Sequence, residues 1–325
     1  MTDDSMQTDP TEAQSAPPPE TPAGFVNVDK PTGMTSFDVV RRVRRAARTK
    51  RVGHTGTLDP LATGVLPIAL GEATKLVDEL MDARKRYRGV ITLGVETDTF
   101  DSDGDVVAES DASAVSSDAI ERALGGFEGD LMQTPPAFSA VKRDGVPAYK
   151  AARAGKPHQL EPRPVTVYSL SLVSIEATHV TVDVECGKGF YMRALASELG
   201  ASLGVGGHLS ALRRTAVGRF NEAASVSLAE VEERLAECDT EALVHAPDSV
   251  ILDWPAVILG RESVGAARNG RDVRPSLVDL VRAGDPGERA RGYGPDGALV
   301  ALLESGAIPG SWHPYRVFPA PKAKI

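Results

Sequence analysis

The sequence predicts an α+β fold: a larger domain of strands with flanking helices, followed by a small β-rich domain. Three observations point there. Short runs with strand character, such as Phe25–Asp29, Val65–Leu70, Val165–Ile175 and Val180–Cys186, are interspersed with stretches whose apolar residues recur at helical spacing. The segment HAPDS around Pro247 reads as a linker, and 325 residues suffice for two domains. Beyond it, several short β-like pieces separated by Gly and Pro are compatible with a small β-barrel over 250–325. No internal repeat is visible.

Residues 1–23 are acidic and rich in Pro, Ser and Thr, with no basic or apolar segment. They read as a disordered tail, neither a signal nor a transit peptide. Phe25–Asp29 alternates as a strand, and Lys30-Pro31-Thr32-Gly33 closes it with turn residues. Thr35 or Ser36 caps a helix with Phe37, Val40, Val43 and Ala47 on one face and arginines on the other. Gly71–Met81 has helical spacing, and a strand over Tyr87–Val95 follows. In the acidic stretch 96–111, DSDGD at 101–105 suggests a calcium loop. The EF-hand places for Gly and Glu hold Val106 and Ala112, so a solvated loop is expected instead.

Ser117–Phe127 spaces as a short amphipathic helix, and 131–164 predicts an exposed, basic excursion. After the strands Val165–Ile175 and Val180–Cys186, a helix runs to Leu203 with Leu195 and Leu199 inward. GVGGH at 204–208 breaks it, Leu209–Phe220 carries Leu212, Arg213 and Arg214 toward another strand, and Leu228–Leu235 is helical.

Composition is that of an ordinary globular protein, with 42% hydrophobic and 25% charged residues. No apolar run approaches the roughly 18–20 residues that span a bilayer. Cys186 and Cys238 lie far apart and match no metal spacing, which fits structural thiols in a reducing cytoplasm. A net charge of −9 argues at first against a nucleic-acid partner. The distribution reverses that reading. Residues 1–24 carry five acids and no base, and 96–130 carry eleven acids against Arg122 alone. Between Lys30 and Arg51, eight bases face only Asp38; RKRYR follows at 84–88, and 142–163 adds six bases against two acids. Charge so segregated resembles a phosphate-binding face.

The stretch GHTGTLDPLATG at 53–64 stands at the centre of the chain's chemistry. Three glycines in twelve residues permit backbone turns that side chains forbid, and Pro60 pushes Asp59 out of the helical region. The result is a carboxylate on a rigid loop that opens onto a buried strand. Taken by itself, the stretch reads equally as an Asp-Pro turn between two elements.

With LysPro at 30–31, KRY at 85–87 and KGFYMR at 188–193 beside that stretch, the chain resembles the TruB family of tRNA pseudouridine synthases. The resemblance runs from about Phe25 to Phe220. It continues more weakly through ARNGRDV, RGYGPDGALVALLE and WHPYRVF, which look like the family's PUA-type RNA-binding domain. It implies a mixed, mainly antiparallel sheet in a catalytic domain over 24–246 and a PUA-like domain over 250–325. The implied activity is isomerisation of uridine 55 in the T-loop of tRNA by a stand-alone, monomeric, cytoplasmic enzyme without a protein partner.

By the same resemblance, Asp59 matches the nucleophile, Tyr87 the active-site tyrosine, and Arg193 the arginine that pairs with the aspartate. Tyr191 and Leu212 match residues lining the pocket, His54 the residue that fills the space of the extruded base, and Lys30 and Lys75 basic positions flanking the site.

The implied chemistry suits these residues. Isomerisation breaks an N-glycosidic bond and rejoins the base through carbon, with no oxidation and no added group, so no cofactor and no metal are expected. Neither GxxxxGK[ST] nor a strand-linked GxGxxG occurs. A carboxylate is ionised at neutral pH and can act as nucleophile, provided a cation such as Arg193 offsets its burial. The base must leave its stack, and an aromatic ring such as Tyr87 returns about 1–3 kcal/mol by stacking. His208 and His313 are expected to be structural. Two other readings stay open from the residues: a non-catalytic tRNA-binding folding chaperone, and a pseudouridine synthase acting on another RNA.

Overall fold

The computed structural model describes residues 22–143, 145–156, 158–274, 285–306, 308 and 310–320; residues 1–21 of the expected acidic tail lie outside them. Strand β1 (Gly24–Lys30) leads into α1 (Ser36–Ala46). Thr35 caps α1 through a reciprocal capping box with Asp38. The buried seam of α1 is Ser36, Val39, Val40 and Val43, whereas Phe37 is 56% exposed. Phe37 stands roughly 110° round the helix from the centre of that seam, so the expected apolar face is shifted.

Strands β2 (Val52–His54) and β3 (Thr63–Leu70) flank the central loop. Gly71–Met81 is not one helix: a 3₁₀ turn, Gly71–Leu76, precedes α2 (Val77–Met81), because neither start has a side-chain cap and Gly71 sits at φ 56. Strand β4 (Lys85–Leu93) stops short of Val95 at Gly94, whose φ is 89.

The acidic stretch then folds into a hairpin of β5 (Val95–Thr97) and β6 (Val106–Glu109). It is therefore not merely a solvated loop: Asp101 at its turn is 4% exposed and bridges to Leu209.

Next come α3 (Ser117–Gly125) and β7 (Gly129–Gln133). The basic excursion forms a small hairpin, β8 (Lys142–Arg143) with β9 (Val146–Pro147), and then α4 (Ala148–Arg153), which buries Ala148 and Ala151. This part of the chain closes with β10 (Arg163–Glu176), β11 (His179–Cys186), α5 (Met192–Ser202), β12 (Gly207–Val217), β13 (Phe220–Asn221), β14 (Val226–Ser227) and α6 (Leu228–Ala236). A 3₁₀ turn, Pro247–Ile251, occupies the expected linker and buries Ile251. Beyond it lie β15 (Ala256–Ile258), α7 (Arg261–Arg268), β16 (Arg289–Tyr293), β17 (Leu299–Ser305) and β18 (Trp312–Val317).

The large sheet runs β14-β1-β3-β12-β4-β11-β10-β7, with β13 beside β12 and β2 beside β3. Only β1/β14 and β3/β12 are parallel, so it is mixed and mainly antiparallel. The second sheet, β15-β16-β17-β18, has four strands. It does not hang free: Leu302 and Phe318 share an apolar cluster with Phe25, Val65 and Leu76 of the first domain. Arg289 pairs with Glu79 at 3.0 Å across the same contact.

Strand β3 meets β12 only at Thr63↔Arg213 and Gly64↔Arg214. Gly64 has φ +99, and a Cβ there would stand 2.3 Å from the Arg214 carbonyl oxygen. Only glycine lets the central loop enter the sheet at this point. Gly64→Ala is therefore expected to destabilise the protein by more than the roughly 1–2 kcal/mol of a left-handed residue alone. Gly33→Ala is the control, since Gly33 has φ +78 with nothing within 4 Å. Denaturant unfolding of the two variants checks the difference; equal losses would show that the close approach does not matter.

Candidate active site

The loop between β2 and β3 is held from both sides. Ser36, buried at the start of α1, accepts from the Leu58 amide at 2.8 Å and donates to the Leu58 carbonyl at 3.2 Å. The Pro60 carbonyl accepts from the Gly33 amide at 2.8 Å and from the Lys30 ammonium at 3.4 Å. Ala62 N donates back to Asp59 O at 3.1 Å, closing a tight turn. Leu58 and Ala62 are buried on either side, so Asp59 has no freedom except in its side chain.

That side chain meets Arg193 in two contacts. Nε lies 3.0 Å from Asp59 Oδ2, and Nη2 donates to Oδ1 at 3.2 Å. The Arg193 side chain is 5% exposed and that of Asp59 34%. Arg193 also reaches Asp101 Oδ2 at 3.5 Å, the Phe138 carbonyl at 2.9 Å and the Thr99 carbonyl at 3.2 Å. An arginine in the first turn of α5 faces the positive end of the helix dipole. Two carboxylates offset that, Asp59 through a charge-assisted hydrogen bond of about 1.5–3 kcal/mol and Asp101 through a longer ion pair.

Burial pushes the Asp59 carboxyl above the ordinary carboxylate range, Arg193 pulls it back down, and the Asp101 charge raises it again. Asp101 is itself fixed, by the Thr99 hydroxyl at 2.6 Å and the Asp103 amide at 3.1 Å.

Tyr191 caps α5, and its backbone is clamped by Gln133: its amide donates to Oε1 at 2.8 Å and its carbonyl accepts from Nε2 at 3.2 Å. Its hydroxyl lies against Ser139, at the base of the basic excursion. Tyr87, half-buried on β4, is the register partner of Arg214 on β12. Burial raises its phenol and Arg214 opposes the rise.

Beside Asp59 opens a cleft of about 460 Å³, lined among others by Thr32, Pro60, Leu61, Asp103, Leu212 and Arg213. His54 accepts from the Gly56 amide through Nδ1 at 3.3 Å; burial and Arg214 lower its pKa.

The structure thus brings Asp59 and Arg193 together, with Tyr87, Tyr191, His54 and Leu212 on the surrounding elements. It places two expected residues elsewhere. Lys30 is fully buried, with its ammonium on the carbonyls of Pro31, Met34 and Pro60, so it braces the loop from beneath. Burial lowers its pKa to about 8, with the Asp59 charge resisting. Lys75 sits at the second sheet, donating to the Val317 carbonyl at 2.6 Å and pairing with Glu72 at 2.7 Å. Asp101, Gln133, Ser36 and Arg214 were not legible as site residues. For Arg214 a signal exists: strand alternation puts it on the same face as Leu212.

Substitutions at Arg193 and at its partner Asp101 give opposite shifts. Asp101→Asn removes a like charge, so the Asp59 pKa should fall; Arg193→Gln removes the cation, so it should rise. Carbon-13 NMR titration of the Asp59 carboxyl reads both, and shifts of the same sign would contradict the arrangement.

Comparison with known proteins agrees with this geometry. Residues 44–192 match the family model for the N-terminal domain of TruB family pseudouridylate synthases, and residues 193–255 that for the tRNA pseudouridylate synthase B C-terminal domain. The tRNA pseudouridine synthase B of Mycolicibacterium paratuberculosis is 45% identical over 291 residues, 87% of this chain and 93% of that one. That of Dehalococcoides mccartyi is 38% identical over 297 residues, 91% and 96% of the two chains. Among solved structures, a chain of a Cbf5-Nop10-Gar1 complex aligns with a TM-score of 0.69 and 28% identity, over 91% of this chain and 85% of that one. A chain of an H/ACA RNP bound to a substrate RNA containing 2'-deoxyuridine gives the same TM-score at 26% identity. With a buried arginine-paired aspartate on a glycine-rich loop and family matches over most of its length, the chain belongs to the TruB family of pseudouridylate synthases.

Proposed function

We propose that this chain isomerises uridine 55 in the T-loop of tRNA to pseudouridine, with Asp59 as nucleophile on a flipped-out uridine. The observation that carries the reading is the Asp59–Arg193 ion pair: a partly exposed carboxylate held against a buried cation, beside an open cleft. A binding module has no use for such a pair, since an ionised carboxylate repels phosphate.

In the reaction the N1–C1′ bond breaks, the base turns, a C5–C1′ bond forms and C5 loses its proton while N1 gains one. Asp59 attacks the nucleotide. Arg193 holds its carboxylate in orientation and shares its charge with Asp101. Tyr87 and Leu212 flank the extruded base, and Tyr191, held by Gln133, sets the wall between α5 and the basic excursion.

Substrate affinity comes from exposed bases. Arg84 and Arg86 pair with Glu185, and Arg88 with Asp183, so the RKRYR segment is largely neutralised. Arg45, Arg48 and Lys50 at the end of α1, and Lys142, Lys150 and Lys156 on the excursion, are exposed and have no carboxylate partner among the described residues. These two groups are the proposed grips on the T-stem and loop. The second sheet is read as a PUA-like RNA-binding domain over 250–325, and the enzyme as a cytoplasmic monomer that works without a protein partner.

Asp59→Asn should abolish tritium release from 5-tritiated uridine in tRNA while RNA affinity stays within about a few-fold, since the nucleophile contributes chemistry and not grip. Undiminished release would refute the assignment. In cells lacking the protein, pseudouridine should vanish from position 55 of tRNA; loss at another position instead would refute the substrate. Affinity should fall steeply between low and physiological salt as phosphate contacts release counterions, and an affinity indifferent to salt would exclude the proposed grips.

A further inference from the structure

Arg214 is the largest unexplained charge in the molecule. It is 1% exposed, and no carboxylate lies within ion-pair distance of it among the described residues. Burying a guanidinium without a counter-ion costs several kcal/mol in general, so such a group persists where its charge is used. Its contacts show what it touches. Nε donates to the Val65 carbonyl at 2.7 Å and Nη2 to the Gly56 carbonyl at 3.3 Å. On the neighbouring strand its register partner is Tyr87, and the two side chains project from the same face of the sheet. The guanidinium acts on the Tyr87 phenol across that strand pair, opposing the rise that burial imposes.

The groups around it are cationic or neutral: Lys30, Lys85 and His54 are made less basic by burial first and by its field in addition. A guanidinium only donates, so the phenol oxygen it faces must act as acceptor.

We propose that Arg214 is a positioning residue for the proton-removal step: it orients the Tyr87 hydroxyl toward the target base and favours its loss of a proton to water, giving the phenolate that then takes the proton from C5. This rests on the isomerase reading above. Once the C5–C1′ bond has formed, the C5–H bond breaks, its electron pair returns to the ring, and the proton passes to Tyr87 Oη and on to water. The hydroxyl proton of Tyr87 has left to water beforehand, so the step is balanced and needs no other reactant. Arg193 is directed elsewhere, onto Asp59, Phe138 and Thr99. Arg214 thereby gives the tyrosine a cation of its own, separate from the one that serves the nucleophile.

A purely structural role is the alternative, because Arg214 also ties Gly56 of the Asp59 loop. The two differ in which step they slow. Arg214→Met and Arg214→Lys are compared with the native enzyme on tRNA carrying uridine, 5-deuterated uridine or 5-fluorouridine at the target. Fluorine at C5 permits cleavage and rejoining but offers no proton to remove.

For Arg214→Met, pseudouridine formation should fall roughly 100-fold, as expected for lost general-base assistance, with a primary deuterium isotope effect. Rearrangement of 5-fluorouridine should stay near the native rate. Its rate should also rise toward higher pH than that of the native enzyme, because the phenolate forms later. Arg214→Lys, which keeps the charge, should recover part of the loss.

Equal losses on uridine and 5-fluorouridine, with no isotope effect, would overturn the proposal in favour of loop anchoring. So would failure of both variants to fold. The native enzyme serves as the separate check: if it converts neither nucleoside, the isomerase reading fails and not the assignment of Arg214 alone.

Discussion

One guanidinium ties the catalytic half together. Arg193 is nearly inaccessible, yet it touches the central loop through Asp59, the acidic hairpin through Asp101 and Thr99, and the basic excursion through Phe138. Three segments that share no strand pairing with one another thus converge on a single side chain from α5. An arginine buried this way is stable only if every partner stays in place, since a charge left unpaired costs about 3–5 kcal/mol. The hairpin and the excursion are therefore coupled to Asp59 by the same contacts that hold its carboxylate.

The backbone around Asp59 supplies the complementary constraint. Ser36 and Lys30 belong to β1 and α1, and both spend their polar atoms on the loop's own amides and carbonyls. Gly64 then allows β3 to approach β12 so closely that the loop cannot slide along the sheet. A rigid frame with a single adjustable carboxylate costs little reorganisation when substrate arrives, which is the condition under which electrostatic stabilisation is most effective. Charge in this region is arranged in two compartments: Asp59, Arg193 and Asp101 on one side, and Arg214, Lys30 and His54 beneath the loop.

The second sheet contributes to the first domain's stability as well as carrying its own surface. Leu302 and Phe318 complete an apolar cluster that would otherwise face water, and Lys75, Arg289 and Arg316 seal its rim with partners across the contact. That arrangement explains why the segment near Pro247 is a 3₁₀ turn that buries Ile251 where a loose linker was expected. Composition cannot distinguish the two, because Pro and Asp favour both.

Much of the architecture and the heart of the site were legible without coordinates. Alternation located β1, an apolar run located β3, β-like runs located β10 and β11, and a cap at Thr35 or Ser36 located α1, because these depend on residues a few places apart. The glycine-rich loop marked Asp59, and motif order paired it with Arg193. Tertiary contact alone decided the rest. Asp101 looked like one acid among eleven in a polar stretch, and became part of the site only when the hairpin folded against Leu209. Lys30 looked like a surface base, and became a loop brace once β1 was enclosed. Charges 30 to 130 residues apart in the chain acquire their meaning from burial and neighbours. Those belong to the packed molecule, because the energy of a charge is set by the medium and partners around it.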